Sequence, residues 1–223
     1  MVPGPLAAIV FDVGETIVDE TRFYAILADH LGVPRLTFFA IAGAMIARGG
    51  THRDAFELFR PGIDLQAELD RLGEAGQPVV VSLDDLYPDA LPCLRELASA
   101  GYRLGIAANQ PEATAHVLAE LDIPLELIAT SAGWGIEKPA RAFFDRIGAE
   151  LGLPHGQIAY VGDRLDNDVR PARAAGMVAV WVRRGPWAWI QAGRGVPREP
   201  ALVVEDLATL PGKLRAAGLS PPP

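Results

Sequence analysis

Gln157-Ile158-Ala159-Tyr160-Val161-Gly162-Asp163 and Ala7-Ala8-Ile9-Val10-Phe11-Asp12 each drive a short apolar run rich in β-branched residues straight into a carboxylate. A run of this kind, apolar at every position instead of alternating, is what a strand buried on both faces of a parallel sheet needs. Further runs at Tyr102–Ala107, Leu125–Thr130, Met177–Val182 and Ala201–Val204 predict four more such strands. Between them lie segments with helical spacing. Phe143, Ile147 and Leu151 recur every fourth residue after Pro139, and Val117, Leu118 and Leu121 follow Pro111. Gly101 and Gly152 stand where helix C-caps are expected. Strands alternating with such helices predict an α/β fold with a mostly parallel sheet, covered on both faces through right-handed crossovers.

The alternation breaks once. From Val18 to Leu86 no strand followed by a crossover helix is visible, so an insertion is expected there. Phe23, Ile26, Leu27 and Leu31 share one helical face; Leu36–Ile46 is an almost uniformly apolar helical run ending before Gly49 and Gly50; His52–Phe59 and Leu65–Leu72 are two more helical candidates. The reading is a core of residues 1–17 and 87–223 interrupted by a helical domain of residues 18–86. A helix apolar all round must be covered, by its own domain or by a second copy of the chain, so a monomer and a homodimer both fit. Ser220–Pro223 is expected to fray.

Composition narrows the partners. The chain has 223 residues, half of them apolar, with 20 Lys and Arg against 28 Asp and Glu, a formal charge of −8. That balance argues against sequence-independent binding of nucleic acid or anionic lipid and favours small molecules. The apolar runs are too short to span a bilayer and no secretory leader is visible, which places the expected location in the cytoplasm. Cys93, the single cysteine, sits on an apolar helix face with Leu94 and Leu97 and reads as buried; His30, His52, His116 and His155 are scattered without metal-ligand spacing.

In an open α/β sheet the ligand site lies outside the carboxyl ends of the strands. The polar residues collected there are Asp12 with Gly14, Glu15 and Thr16 after the first strand, Asn109 after the second, Lys138 in the loop after the third, and Asp163 and Asp168 after the fourth. Asp12 and Asp163 meeting at one point would repel unless a cation lay between them, and hard oxygen ligands suit Mg²⁺. Lys138 would offset the charge of an anionic substrate. Singly, each has a blander reading: an aspartate at a strand end caps the next helix, a lone lysine is solvated, and an asparagine fills a turn. Together they read as a phosphate site.

The segments Asp12-Val13-Gly14-Glu15-Thr16, Ala107-Ala108-Asn109-Gln110, Glu137-Lys138-Pro139 and Val161-Gly162-Asp163-Arg164-Leu165-Asp166-Asn167-Asp168 resemble, in order and spacing, the four motifs of the haloacid dehalogenase superfamily. The resemblance covers nearly the whole chain. It implies a Rossmann-like core of three layers with an inserted α-helical cap, and a phosphatase-like hydrolase dependent on Mg²⁺. It further implies Asp12 as nucleophile and metal ligand, the Gly14 carbonyl and Asp163 as further ligands, and Asp168 as a metal-associated carboxylate. Lys138 would steady Asp12 and the phosphoryl group, and Asn109 and Thr16 would bind phosphate. Two positions depart from the phosphatase pattern. Gly14 stands where a second aspartate serves as general acid and base, and Ala108 where a hydroxyl binds phosphate. A general acid contributes about 10²–10⁴-fold, so slow turnover or a restriction to activated leaving groups is expected of a small phosphorylated substrate. Glu15 could replace the lost acid from one residue further on. Other readings are a silent binding or regulatory protein and a 2-haloacid dehalogenase, which needs no acid for halide departure.

Overall fold

The computed structural model describes residues 5–76, 79–193, 195 and 200–222. Six strands form one sheet: β1 Ala8–Phe11, β2 Arg103–Ala108, β3 Leu125–Thr130, β4 Ile158–Gly162, β5 Val178–Val182 and β6 Leu202–Val204. All neighbours are parallel and the order is β3-β2-β1-β4-β5-β6. Every residue of β1 and β4 is buried, which explains the uninterrupted apolar runs.

The helices in chain order are α1 Thr21–His30, α2 Arg35–Ala47, α3 Arg53–Phe59, α4 Leu65–Glu74, α5 Ala90–Ser99, α6 Glu112–Ala119, α7 Ser131–Trp134, α8 Arg141–Leu151, α9 Arg170–Ala175, α10 Gly185–Ala192 and α11 Leu210–Ala216. Helices cover both faces of the sheet. Ala8 and Val10 join Tyr160, Trp181, Phe143, Phe144 and Ile147 in one core layer, with α8 and α9 upon it. Ile9 and Phe11, at the alternate positions of β1, are as deeply buried but lie outside that layer and so point to the other face, where α11 packs on α5 and α5 on β2. Cys93, Leu94 and Leu97 are buried in α5. Gly152 caps α8 at φ 62°, the left-handed conformation glycine adopts without strain.

The chain divides into two compact units, Met1–Asp19 with Ser82–Pro223, and Glu20–Val81. Within the first, the two chain segments flanking the insertion are fastened to each other. Val18 forms an antiparallel bridge with Leu86, the Asp19 N–H donates to the Asp85 carbonyl at 2.8 Å, and the Tyr87 N–H donates to the Ile17 carbonyl at 3.0 Å. The second unit comprises α1–α4 around Leu27, Phe38, Phe56 and Leu72. Helix α2, expected to be covered throughout, buries Phe38 and Ile46 but leaves Leu36 82% and Phe39 37% exposed.

Trp187 and Trp189 lie on α10, where Pro186 occupies the first turn and its missing N–H costs nothing. One local expectation is corrected. Ser220 is not frayed: its carbonyl accepts from the Leu6 N–H at 2.9 Å, while Pro223 lies outside the described residues. Among the described residues no single helix is long and apolar enough to cross a membrane; α1 and α2 qualify only as a pair bent by 112°.

Candidate active site

The strand order reverses between β1 and β4, so the loops leaving these two strands open a crevice at their carboxyl ends, and Asp12 and Asp163 each stand immediately beyond one of the two. The Asp12 N–H donates to the Val161 carbonyl at 2.9 Å, tying the two strand ends together. Beyond Asp12 the chain winds tightly, with the N–H groups of Thr16, Ile17 and Val18 all directed at the Val13 carbonyl at 3.0–3.2 Å. Gly14 lies within this turn, and Thr16 is wholly buried with a hydroxyl that has no hydrogen-bond partner.

After β4 the backbone makes a π-helical turn, Leu165–Val169, in which the N–H groups of Asp168 and Val169 both donate to the Arg164 carbonyl. Such turns are frequent at functional sites. Here it folds Asp168 back over Gly162, where a Cβ would lie only 2.5 Å from the Asp168 side chain. Asp168 Oδ2 accepts from the Arg164 N–H at 2.9 Å. The carboxylates of Asp12, Asp163 and Asp168 can each place one oxygen within 4.8 Å of the others.

Lys138 is buried among them, its ammonium 2.7 Å from Asp12 Oδ1 and 2.6 Å from Asp168 Oδ1. It stands 5.4 Å from the centroid of the Tyr160 ring, whose hydroxyl donates to the Ala107 carbonyl at 2.7 Å. Asn109 pins the lysine through its backbone: Nδ2 donates to the Lys138 carbonyl at 2.9 Å and Oδ1 accepts from the Lys138 N–H at 2.8 Å. The amide oxygen of Asn109 and one of its protons are therefore engaged in holding Lys138. Ala108, at the end of β2, brings no hydroxyl.

Three carboxylates around one ammonium leave the cluster electrically unbalanced. Burial pushes the Asp163 carboxyl well above its ordinary value, and the charges of Asp168 and Asp12 push it further. Burial likewise raises Asp168, to about 6, with Lys138 opposing and Asp12 reinforcing the rise. For Lys138 burial works toward losing the proton, but Asp12 and Asp168 reverse this and hold the ammonium well above the usual lysine range. Asp163 Oδ2 is buried without a hydrogen-bond partner, although the Asp163 carbonyl accepts from Trp181 Nε1 at 2.6 Å. A divalent cation suits this set: hard oxygen donors, excess negative charge and an orphaned carboxylate oxygen.

Further neighbours of the cluster follow β5 or lie far from it in sequence. Arg184, two residues beyond β5, is buried, donates to both carboxylate oxygens of Asp89 at 3.0 and 2.9 Å, and stacks 4.3 Å from the Tyr87 ring centroid. The Tyr87 hydroxyl donates to Glu15 Oε2 at 2.7 Å. Burial and the Glu15 carboxylate raise the Tyr87 phenol, so it remains a donor. Arg164 lies 3.7 Å from the Trp187 ring centroid and pairs with Asp166 at 2.7 Å. The residues after every strand include Arg184; nothing local marks Tyr87.

Residues 6–176 match the haloacid dehalogenase-like hydrolase family. The chain belongs to that family. It is 37% identical over 111 residues to a glyceraldehyde 3-phosphate phosphatase of Methanopyrus kandleri, covering 45% of each chain. It is 37% identical over 103 residues to a phosphoserine phosphatase of Thermus thermophilus, covering 45% of this chain and 41% of that one. The chain thus spans about half the length of the curated relatives it matches. A haloacid dehalogenase-like phosphatase from Thermococcus onnurineus shares the fold, with a TM-score of 0.59 at 24% identity over 93% of this chain and 97% of that one.

Proposed function

We propose that this family member is a Mg²⁺-dependent phosphatase of small phosphorylated metabolites, working through an aspartyl-phosphate on Asp12 and restricted to good leaving groups. The observation that carries the reading is the buried, negatively unbalanced cluster of Asp12, Asp163 and Asp168 around Lys138, with one carboxylate oxygen left over. Asp12, Asp163, Asp168 and the Gly14 carbonyl would hold the cation. Bound there, Mg²⁺ supplies Lewis-acid charge neutralisation to a phosphoryl oxygen.

The chain's own groups do the remainder. An Asp12 oxygen attacks phosphorus in line, the bond to the leaving oxygen breaks, and water then cleaves the acyl phosphate to give inorganic phosphate and the regenerated carboxylate. Lys138 keeps its proton and offsets the charge on Asp12 and on the phosphoryl oxygens. The Thr16 hydroxyl is a donor for one of those oxygens. Asn109 acts by positioning Lys138, with one amide proton left for phosphate. The helical unit Glu20–Val81 corresponds to the inserted cap domain.

Gly14 supplies no proton to a departing alkoxide, so acyl and aryl phosphates, which leave as weak bases, fit better than alkyl phosphates. The relatives' names point to three-carbon phosphates as the first alkyl substrates to try. The test is Mg²⁺-dependent phosphate release from acetyl phosphate, para-nitrophenyl phosphate, glyceraldehyde 3-phosphate, phosphoserine, and sugar and nucleotide monophosphates, comparing wild type with Asp12→Asn. Release from the activated substrates that vanishes in Asp12→Asn supports the reading. A folded, Mg²⁺-binding protein that turns over none of them overturns it in favour of a second reading, a silent binding protein, which Gly14 and Ala108 favour.

A further inference from the structure

Glu15 is the single residue other than glycine, among the described residues, with a positive φ, 52°, in the left-handed region that strains a side-chain-bearing residue. It lies in the turn that carries Asp12, Gly14 and Thr16, so whatever keeps it there also sets the path of that turn. Two contacts do so. The Tyr87 hydroxyl holds Oε2 at 2.7 Å, and the side chain lies over Gly185, where a Cβ would meet the Glu15 Cβ and Oε2 at 2.6 Å. Gly185 has φ 72° of its own, so the space it leaves open is part of the backbone path after β5.

Tyr87 is in turn immobilised. Its N–H is bonded to the Ile17 carbonyl, and its ring is covered by the Arg184 guanidinium, which Asp89 grips through both oxygens. Asp89 also accepts from the Leu207 N–H at 2.7 Å, anchoring the chain of contacts to the segment after β6. Three separated stretches of the core, at Tyr87–Asp89, Arg184–Gly185 and Leu207, are thus linked through these contacts to one side chain in the nucleophile turn. A glutamate that merely faced solvent would require neither the strained φ nor the excluded Cβ at Gly185. Backbone strain at a site persists only where the surroundings over-determine it.

We propose that Glu15 is a positioning residue. Held by Tyr87 against Gly185, it fixes the Gly14–Glu15 peptide and the reach of Asp12 toward the cation and phosphorus, and it acts through hydrogen-bond acceptance, not proton transfer. This rests on the phosphatase reading for its kinetic consequence, but not for its effect on metal binding.

The experiment measures Mg²⁺ dissociation by calorimetry, together with kcat and KM for para-nitrophenyl phosphate, in Tyr87→Phe, Glu15→Gly and Glu15→Gln. Supporting groups around a metal typically cost 10–100-fold when removed. Tyr87→Phe is expected to weaken Mg²⁺ binding and lower kcat, each about 10-fold, with KM unchanged. Glu15→Gly is expected to show the same losses while melting no lower than wild type, since glycine adopts φ 52° without strain. Glu15→Gln keeps an oxygen for the Tyr87 hydroxyl and should recover most of what Glu15→Gly loses. The proposal is overturned if Tyr87→Phe and Glu15→Gly bind Mg²⁺ as wild type does, or if Glu15→Gln is as impaired as Glu15→Gly, which would make the carboxylate itself the active group. Should wild type release no phosphate, the phosphatase reading fails by itself, and the Mg²⁺ affinities still decide the role of Glu15.

Discussion

Two buried carboxylate clusters, one in each unit, differ in their balance of charge. In the helical unit one carboxylate, Glu68, is surrounded by three basic side chains: His30 Nε2 at 2.7 Å, Arg60 at 3.4 Å, and Arg71. The His30 hydrogen bond draws the Glu68 carboxyl below its ordinary value against the pull of burial, with the two arginines assisting. In the core three carboxylates share one lysine, and Asp163 and Asp168 are displaced upward instead. A cluster that satisfies itself holds a fold together. One that remains in deficit of positive charge is stable only with help, and that help is what a cofactor site recruits.

The sharpest break in this comparison is Asp12→Asn. The substitution keeps the shape, removes the proposed nucleophile, and should lower aryl-phosphate turnover by about 10⁴-fold or more. Because it also removes one of three competing negative charges, the metal-free melting temperature should not fall. Equal turnover in the variant would place the chemistry elsewhere. Lys138→Met tests the other side of the balance. Stripping the cation from Asp12 and Asp168 should destabilise the metal-free protein at pH 7 by about 3–5 kcal/mol in urea unfolding, and Mg²⁺ should restore part of the loss.

The pH response sharpens the contrast further. Asp163 and Asp168 bind protons more tightly folded than unfolded, so their contribution favours folding at low pH and is lost as pH rises, for Asp168 from the ordinary carboxylate value through about 6 and for Asp163 through its own raised value. For Asp168 alone the loss is on the order of 3 kcal/mol. Metal binding needs both groups ionised, so the Mg²⁺-induced rise in melting temperature should grow across that same window. A rise that is flat from pH 4.5 to 7 would remove the cation from the cluster. The smallest effect is expected in the balanced cluster: Glu68→Gln should lower the urea midpoint slightly and leave turnover and the Mg²⁺ response unchanged.

All six strands are legible in the sequence as short apolar runs, and β1 and β4, buried at every residue, admit no polar interruption until they end. The same punctuation exposes Asp12, Asp163 and Asp168, which the fold then gathers at the reversal of strand order. What escaped notice has a common physical cause. The Tyr87–Glu15 bond joins residues 72 apart and the Arg184–Asp89 pair residues 95 apart, and contacts at such separations leave no period in the chain. Asn109 was visible as a strand-end residue, but its grip on the Lys138 backbone depends on the loop after β3 returning to it. Helix α10 was hidden by Gly185-Pro186, a pair that reads as a break and here starts a helix.

The fastening of Ile17–Asp19 to Asp85–Tyr87 has a consequence for the insertion. Since the chain is stapled to itself on the near side of the insertion, β1 and β2 keep their register whatever lies between Glu20 and Val81. Lengthening a loop whose ends are already joined costs little, about 0.6 kcal/mol for each doubling. The insertion is therefore the segment whose length and content can change at least cost to the turn that carries Asp12.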